Sequence, residues 1–191
     1  MKVLQTKQYF PQKGFTLIEL VVVVALLLIT VGVAGDIILS LTKTFGKTQV
    51  SNEIEQTSNF VFLKLEKEFR SATNVIRPTL STASDTLEFT DRNGKEVCYI
   101  LQPSGLLTRS ISNSASNNCV SGRNDLTSND TATGVKVDRA GSPYSAAFKL
   151  ISEDPYVVQI YLVFSSASTS TSPTFSGSVT LNNTLVARGS Y

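Results

Sequence analysis

The sequence predicts an α+β protein: one long N-terminal helix, transmembrane in its first half and amphipathic in its second, packed on an antiparallel β-sheet globular domain. Three features carry that expectation. Between Phe15 and Leu41 the only charged residues are Glu19 and Asp36. A helix of roughly 27 residues at about 1.5 Å per residue is about 40 Å long, more than the ~30 Å hydrocarbon core of a bilayer. Val50, Ile54, Val61, Leu65, Phe69 and Ala72 then recur at spacings of three, four or seven, the period of a helix with one apolar face. From residue 79 to 191 the chain becomes rich in Ser, Thr and Asn with short β-branched and aromatic runs, the composition of strands joined by polar loops.

Residues 1–14 read as a leader. They contain Lys2, Lys7 and Lys13 and no acid, and positive charge beside an apolar helix holds that end in the cytoplasm. The whole chain has 17 basic and 15 acidic residues. Loss of the three leader lysines brings the formal net charge from +2 to −1, so no strongly basic surface remains to attract nucleic acid. Residues 15–41 form the single membrane crossing, with the weak helix formers Gly32, Gly35 and Asp36 near its outer end.

Residues 42–77 continue as an amphipathic helix that ends near Arg77, because Pro78 disfavours helical geometry in the residue before it. Lys64, Glu66, Lys67, Glu68 and Arg70 fall largely between its apolar positions and read as a solvated face. Lys43 and Lys47 lie just beyond the membrane, within reach of headgroups.

Residues 79–191 make the sheet domain. Thr86–Thr90 and Glu96–Leu101 flank Arg92-Asn93-Gly94, a hairpin signal in which Asn-Gly supplies the positive φ of the turn. Pro103-Ser104-Gly105 turns the chain back into Leu106–Arg109. Further strands are expected at Ala146–Ile151 and Tyr156–Phe164, with a closing pair at Phe175–Leu181 and Thr184–Arg188. This sheet should lay its apolar face on the helix around roughly one core.

Cys98 and Cys119 both fall outside the cytoplasm in this topology, where disulfides persist. They are expected to pair, two free thiols being the alternative. A metal site is disfavoured because the chain has no histidine and two sulfurs do not complete a tetrahedral shell. Without histidine there is no Ser-His or Cys-His pair, and Ser165–Ser172 is a low-complexity stretch. No catalytic residue and no cofactor is expected. Asn129-Asp130-Thr131 and Asn182-Asn183-Thr184 match the glycosylation acceptor pattern, as short motifs do by chance in an Asn/Ser/Thr-rich chain.

The remaining signal is Lys13-Gly14-Phe15-Thr16-Leu17-Ile18-Glu19-Leu20. An acid inside a membrane segment costs about 2.5–3.5 kcal/mol at the bilayer centre and less near an end, so Glu19 needs a partner. A cut between Gly14 and Phe15 would create one, the α-amino group of Phe15, in its own chain or a neighbour's. The octapeptide resembles the processing and methylation site of type IV prepilins and type II secretion pseudopilins. That resemblance implies cleavage after Gly14, N-methylation of Phe15 by the same membrane-embedded peptidase, and a role for Glu19 as the assembly salt bridge to the next subunit's N-terminus. It also implies the pilin fold, and a helix able to loosen between Gly32 and Asp36 in a filament, although the proline common at the position of Asp36 is absent.

A second resemblance concerns the head. Phe69-Arg70-Ser71-Ala72, Leu87-Glu88-Phe89, Cys98-Tyr99-Ile100-Leu101, Gly105–Arg109, Val179-Thr180-Leu181 and Val186-Ala187-Arg188 are similar to the J-type minor pseudopilin and the W-type minor pilin. Thr108 and Gly189 depart from that branch, which often has tyrosine and asparagine there. The expectation is a minor, non-enzymatic subunit that helps initiate or enters a type IV pilus or type II secretion pseudopilus. Its expected partners are the prepilin peptidase/methyltransferase, other major and minor pilins or pseudopilins, and the inner-membrane assembly platform. It would sit in the cytoplasmic membrane by one crossing, C-terminal domain outside, before assembly. The alternative is a membrane-anchored adhesion or binding protein whose anchor is never cut.

Overall fold

The computed structural model of the chain describes residues 14–112, 119, 122–131, 134–141, 145–168 and 176–188. The leader lysines, residues 113–118 of the polar loop, residues 169–172 of the serine-rich stretch and Phe175 lie outside them. The chain divides into two compact units, Met1–Lys43 and Thr44–Tyr191, and one helix, α1 (Leu17–Phe69), contributes residues to both.

In the first unit α1 is an uninterrupted helix whose apolar side chains are all exposed. Its most apolar 18-residue window has a mean hydropathy of 2.9 with nothing buried, long and apolar enough to cross a membrane. The hydroxyls of Thr30 and Thr42 donate to the carbonyls of Leu27 and Ile38, each at 2.9 Å. These two hydroxyls thus find partners in their own helix, as an apolar solvent requires. Gly32 and Gly35 remain helical.

In the second unit α1 buries Ile54, Ser58, Val61, Leu65 and Phe69, the stripe that the 3.6-residue period predicts. The helix stops at Phe69, a correction to the expected end near Arg77. Arg70 N–H bonds the Glu66 carbonyl at 3.0 Å, Ser71 N–H bonds that of Glu68 at 3.1 Å, and the Ser71 hydroxyl adds a 2.7 Å bond to the same carbonyl. Residues Ala72–Arg77 are β1 instead. Thr73, Asn74, Val75 and Ile76 are poor helix formers, and a strand partner is available at β2 (Thr86–Asp91). Pro78 does mark a boundary, but that of a strand.

The expected single sheet is two. The first has the order β1-β2-β3-β4-β5, with β3 at Glu96–Leu101, β4 at Leu107–Ser112 and β5 at Asn124–Asp125. The β2–β3 hairpin closes as predicted: Gly94 has φ +75°, and the Asp91 carboxylate accepts from the N–H groups of Asn93 and Lys95 at 2.8 and 2.9 Å. Gly105, between β3 and β4, has φ +82°. A Cβ there would also meet Lys136 Cβ at 3.2 Å. The second sheet holds β6 (Val135–Arg139), β7 (Phe148–Glu153), β8 (Tyr156–Ser166) and β9 (Ser178–Val186). β6 and β7 share one edge of β8, and β9 runs the length of the other.

β9 corrects a second expectation. Asn182 and Asn183 have the chemistry of a turn between two closing strands, yet they sit in mid-strand opposite Tyr161 and Ile160. One hydrophobic cluster unites the α1 stripe with residues of both sheets. At its centre Phe69 and Phe89 stack edge to face, centroids 5.4 Å apart at 82°, a favoured aromatic geometry. The sheets are tied by reciprocal Ser84–Phe148 backbone bonds of 2.9 Å and by Val137 N–H to the Gly105 carbonyl at 2.8 Å. Asp85 adds an ion pair to Arg139 and accepts from Ala147 N–H at 3.1 Å.

Candidate functional site

The N-terminal motif begins α1. Thr16 is the N-cap and Glu19 the third helical residue, and the two side chains satisfy each other's backbone. Glu19 Oε2 accepts from Thr16 N–H at 3.1 Å and from the Thr16 hydroxyl at 3.0 Å, and Glu19 N–H donates to Thr16 Oγ1 at 3.4 Å. This is a reciprocal capping box. Its signature is local, Thr followed three residues later by Glu, and it could have been found beside the argument for a partner across a cut chain. The acid therefore has a ligand set before any cleavage.

Around the box the chain is bare. Phe15 and Leu17 are 81% and 82% exposed, and a Cβ at Gly14 would meet nothing within 4 Å. The Gly14–Phe15 bond is thus sterically open, and the helix beyond it is apolar on every side.

The head holds three further polar features. Glu68 lies at the end of the α1 stripe, where the sequence reads as a solvated face, and the structure corrects this. Its carboxylate accepts from Arg109 Nε at 2.9 Å and the Tyr99 hydroxyl at 2.6 Å, and a second Arg109 nitrogen lies 2.7 Å from Oε1. The two charged side chains are only 15% and 21% exposed. Burial pushes the Tyr99 hydroxyl far above its ordinary pKa, helped by its bond to Glu68. For Arg109 burial pulls down, but the hydrogen bond and charge of Glu68 outweigh it and the guanidinium is held above its usual range. The clasp ties the helix to β3 and β4.

Cys98 and Cys119 form a disulfide with Cα atoms 5.7 Å apart. It pins Cys119, beyond β4, to the middle strand of the first sheet. Directly across the ladder from Cys98 is Glu88, whose side chain is fully buried and 3.3 Å from Arg77 Nε. Both carboxylate oxygens lack a hydrogen bond. Burial pushes its pKa up, against the charge of Arg77, while Glu96 adds to the rise. Glu88, Cys98 and Cys119 place ligand-type atoms within 4.8 Å of one another, but the bridge uses both sulfurs.

Elsewhere an open cleft of about 460 Å³ is lined by Glu53, Asp125, Thr127 and Asn129, among others. A family model for the prokaryotic N-terminal methylation motif matches residues 10–35. No curated protein and no solved structure matches the chain. The motif thus stands at the head of a pilin-like architecture, a long helix with an apolar first half followed by antiparallel sheets.

Proposed function

We propose that the chain is a minor pilin or minor pseudopilin, a non-enzymatic subunit cut after Gly14, N-methylated at Phe15 and assembled through its helix into a type IV pilus or type II secretion pseudopilus. The observation that carries this reading is the motif itself: an open Gly14–Phe15 bond, a capped Glu19 and a bare apolar helix, within the residues that match the methylation motif. The prepilin peptidase, sister pilins or pseudopilins and an inner-membrane assembly platform are its partners. It crosses the cytoplasmic membrane once, head outside.

The capping box gives assembly a chemical sequence. In the precursor Thr16 satisfies Glu19 with neutral donors. Cleavage places a cationic amine one residue before Thr16, and a charge-assisted bond is roughly twice as strong as a neutral one. A neighbour's N-terminus offers the same cation while removing both charges from lipid, so packing favours the intersubunit pair. Outside the membrane the exposed Phe45, Phe60 and Leu63 extend a contact surface for sister helices. The similarity to J- and W-type subunits favours a priming complex with few copies per filament.

Mass spectrometry of the chain isolated from its native membrane tests the reading, with N-methyl-Phe15 as the expected terminus. An intact leader would overturn it in favour of an uncut anchored adhesion or binding protein. Glu19→Ala should be processed normally but fall about tenfold or more in purified filaments, the effect of losing roughly 1.4 kcal/mol or more of pairing energy. Wild-type incorporation would remove Glu19 from this role.

A further inference from the structure

Among the described residues, the two oxygens of Glu88 are the buried side-chain polar atoms left without a hydrogen bond. Burying a carboxylate in this way is expensive, and a leucine or valine would fill the same strand position without that cost. What sets the position apart is its neighbour. Glu88 and Cys98 are directly opposed on β2 and β3, so both side chains point to the same face. The carboxylate lies within 4.8 Å of both sulfurs. Cys98 is only 3% exposed, whereas Cys119 is half-buried.

We propose that Glu88 is the internal base for closing the Cys98–Cys119 bridge, taking the proton of the Cys98 thiol as that sulfur attacks. The thiolate is the nucleophile in disulfide exchange, and a thiol shielded from water needs a proton acceptor close at hand. The oxidant is a disulfide of the glutathione or protein type. The Cys119 thiolate, the more accessible, attacks one sulfur of that disulfide, forms a mixed disulfide and expels the first thiolate, which takes up the proton Cys119 gave to water. The Cys98 thiol then passes its proton to Glu88, and the new thiolate attacks Cys119 Sγ. The Cys98–Cys119 bond forms, the bond to the oxidant breaks, and the second departing thiolate collects the proton from Glu88. The protein loses two electrons and two protons, and the oxidant gains both.

Topology sets the order of events. The pair Glu88–Cys98 is brought together by the β2–β3 hairpin alone, whereas Cys119 arrives across a separation of 21 residues. The base is in place before the second sulfur. The charged groups acting on Glu88 are Arg77 on β1, which favours the ionised, accepting form, and Glu96 on β3, which opposes it. Burial also favours the protonated form, so the carboxylate is suited to hold a proton briefly.

The test uses the full chain in detergent, reduced and then given glutathione disulfide. Decay of the Cys119 mixed disulfide is followed by acid quench and mass spectrometry. At pH 7 Glu88→Gln should close about tenfold more slowly, since an unassisted thiol of pKa ~8.5 is only about 3% ionised there. Near pH 9.5 the thiol ionises without help and the two rates should converge. Equal rates at pH 7, or the same slowing at both pH values, would overturn the proposal. If the variant does not fold, the wild-type closure rate decides. It should rise from pH 7 to 9.5 by far less than the roughly thirtyfold gain in thiolate of an unassisted thiol, and a full thirtyfold rise would exclude an internal base.

Discussion

Between Leu17 and Leu41 α1 leaves its apolar side chains open, whereas between Ile54 and Phe69 the same helix buries one on nearly every turn against strands of the head. The acids differ in the same way. Glu19 is answered by its own helix start, and Glu68 by Tyr99 and Arg109 from distant strands. The second half of the helix thus carries a partner within its own chain, and the first half is built for one outside it. On the proposed reading, lipid serves before assembly and sister helices after it. Disruption of the second half should therefore appear in the stability of the head, and disruption of the first half in assembly alone.

The largest effect expected is from Phe69→Ala. The ring is fully buried against Phe89, and truncation of a core phenylalanine costs about 3–5 kcal/mol. Leu26→Ala, in the exposed half, should leave thermal unfolding of the head unchanged within about 0.5 kcal/mol. Calorimetry of both variants in detergent checks the contrast, and equal losses would abolish it. Next in size is the disulfide. Reducing a bridge over 21 residues should cost about 3 kcal/mol in the chain-entropy account, read as a lower urea midpoint in the presence of reductant.

The clasp should rank third. Arg109→Ala leaves Glu68 largely buried without its ion-pair partner, at about 2 kcal/mol, and Tyr99→Phe should cost about 1 kcal/mol. Because both donors bond Glu68, the double variant should lose less than the sum. Additive losses in urea unfolding would show that the two bonds act independently.

The contrast between the halves also separates the features legible in the sequence from those that are not. The motif from Gly14 to Leu20, the apolar run and the stripe Ile54, Val61, Leu65 and Phe69 are local patterns, and each can be read directly. Ala72 follows Phe69 at helical spacing, and the poor helix formers after it weaken a helix without specifying a strand; pairing with β2 decides that. Glu68 sits in a run of charges like any solvated face, and its partners lie 31 and 41 residues away. Asn182-Asn183 has turn chemistry, but nine consecutive pairings with β8 override a two-residue preference. β6 and the split into two sheets depend on long-range pairing in the same way.

The smallest effect expected is at Glu88, and its sign is informative. Burial raises the pKa of this carboxyl in the folded chain above its ordinary value of 4.5, so the folded state binds the proton more tightly than the unfolded state. Stability is then fully present below pH 4.5 and is lost as pH rises through the folded value. Above that value the ionised group stays buried beside Arg77, which limits the loss without cancelling it. Glu88→Gln has no proton to release. With the bridge intact, its urea stability relative to wild type should therefore rise with pH across that window, by about 1 kcal/mol, the scale of one poorly satisfied buried polar group. Arg77→Ala should steepen the wild-type decline by removing an opposing cation. Parallel stability curves for wild type and Glu88→Gln from about pH 4 to 8 would show that Glu88 has the same proton affinity folded and unfolded. Its burial would then cost the head nothing that depends on pH.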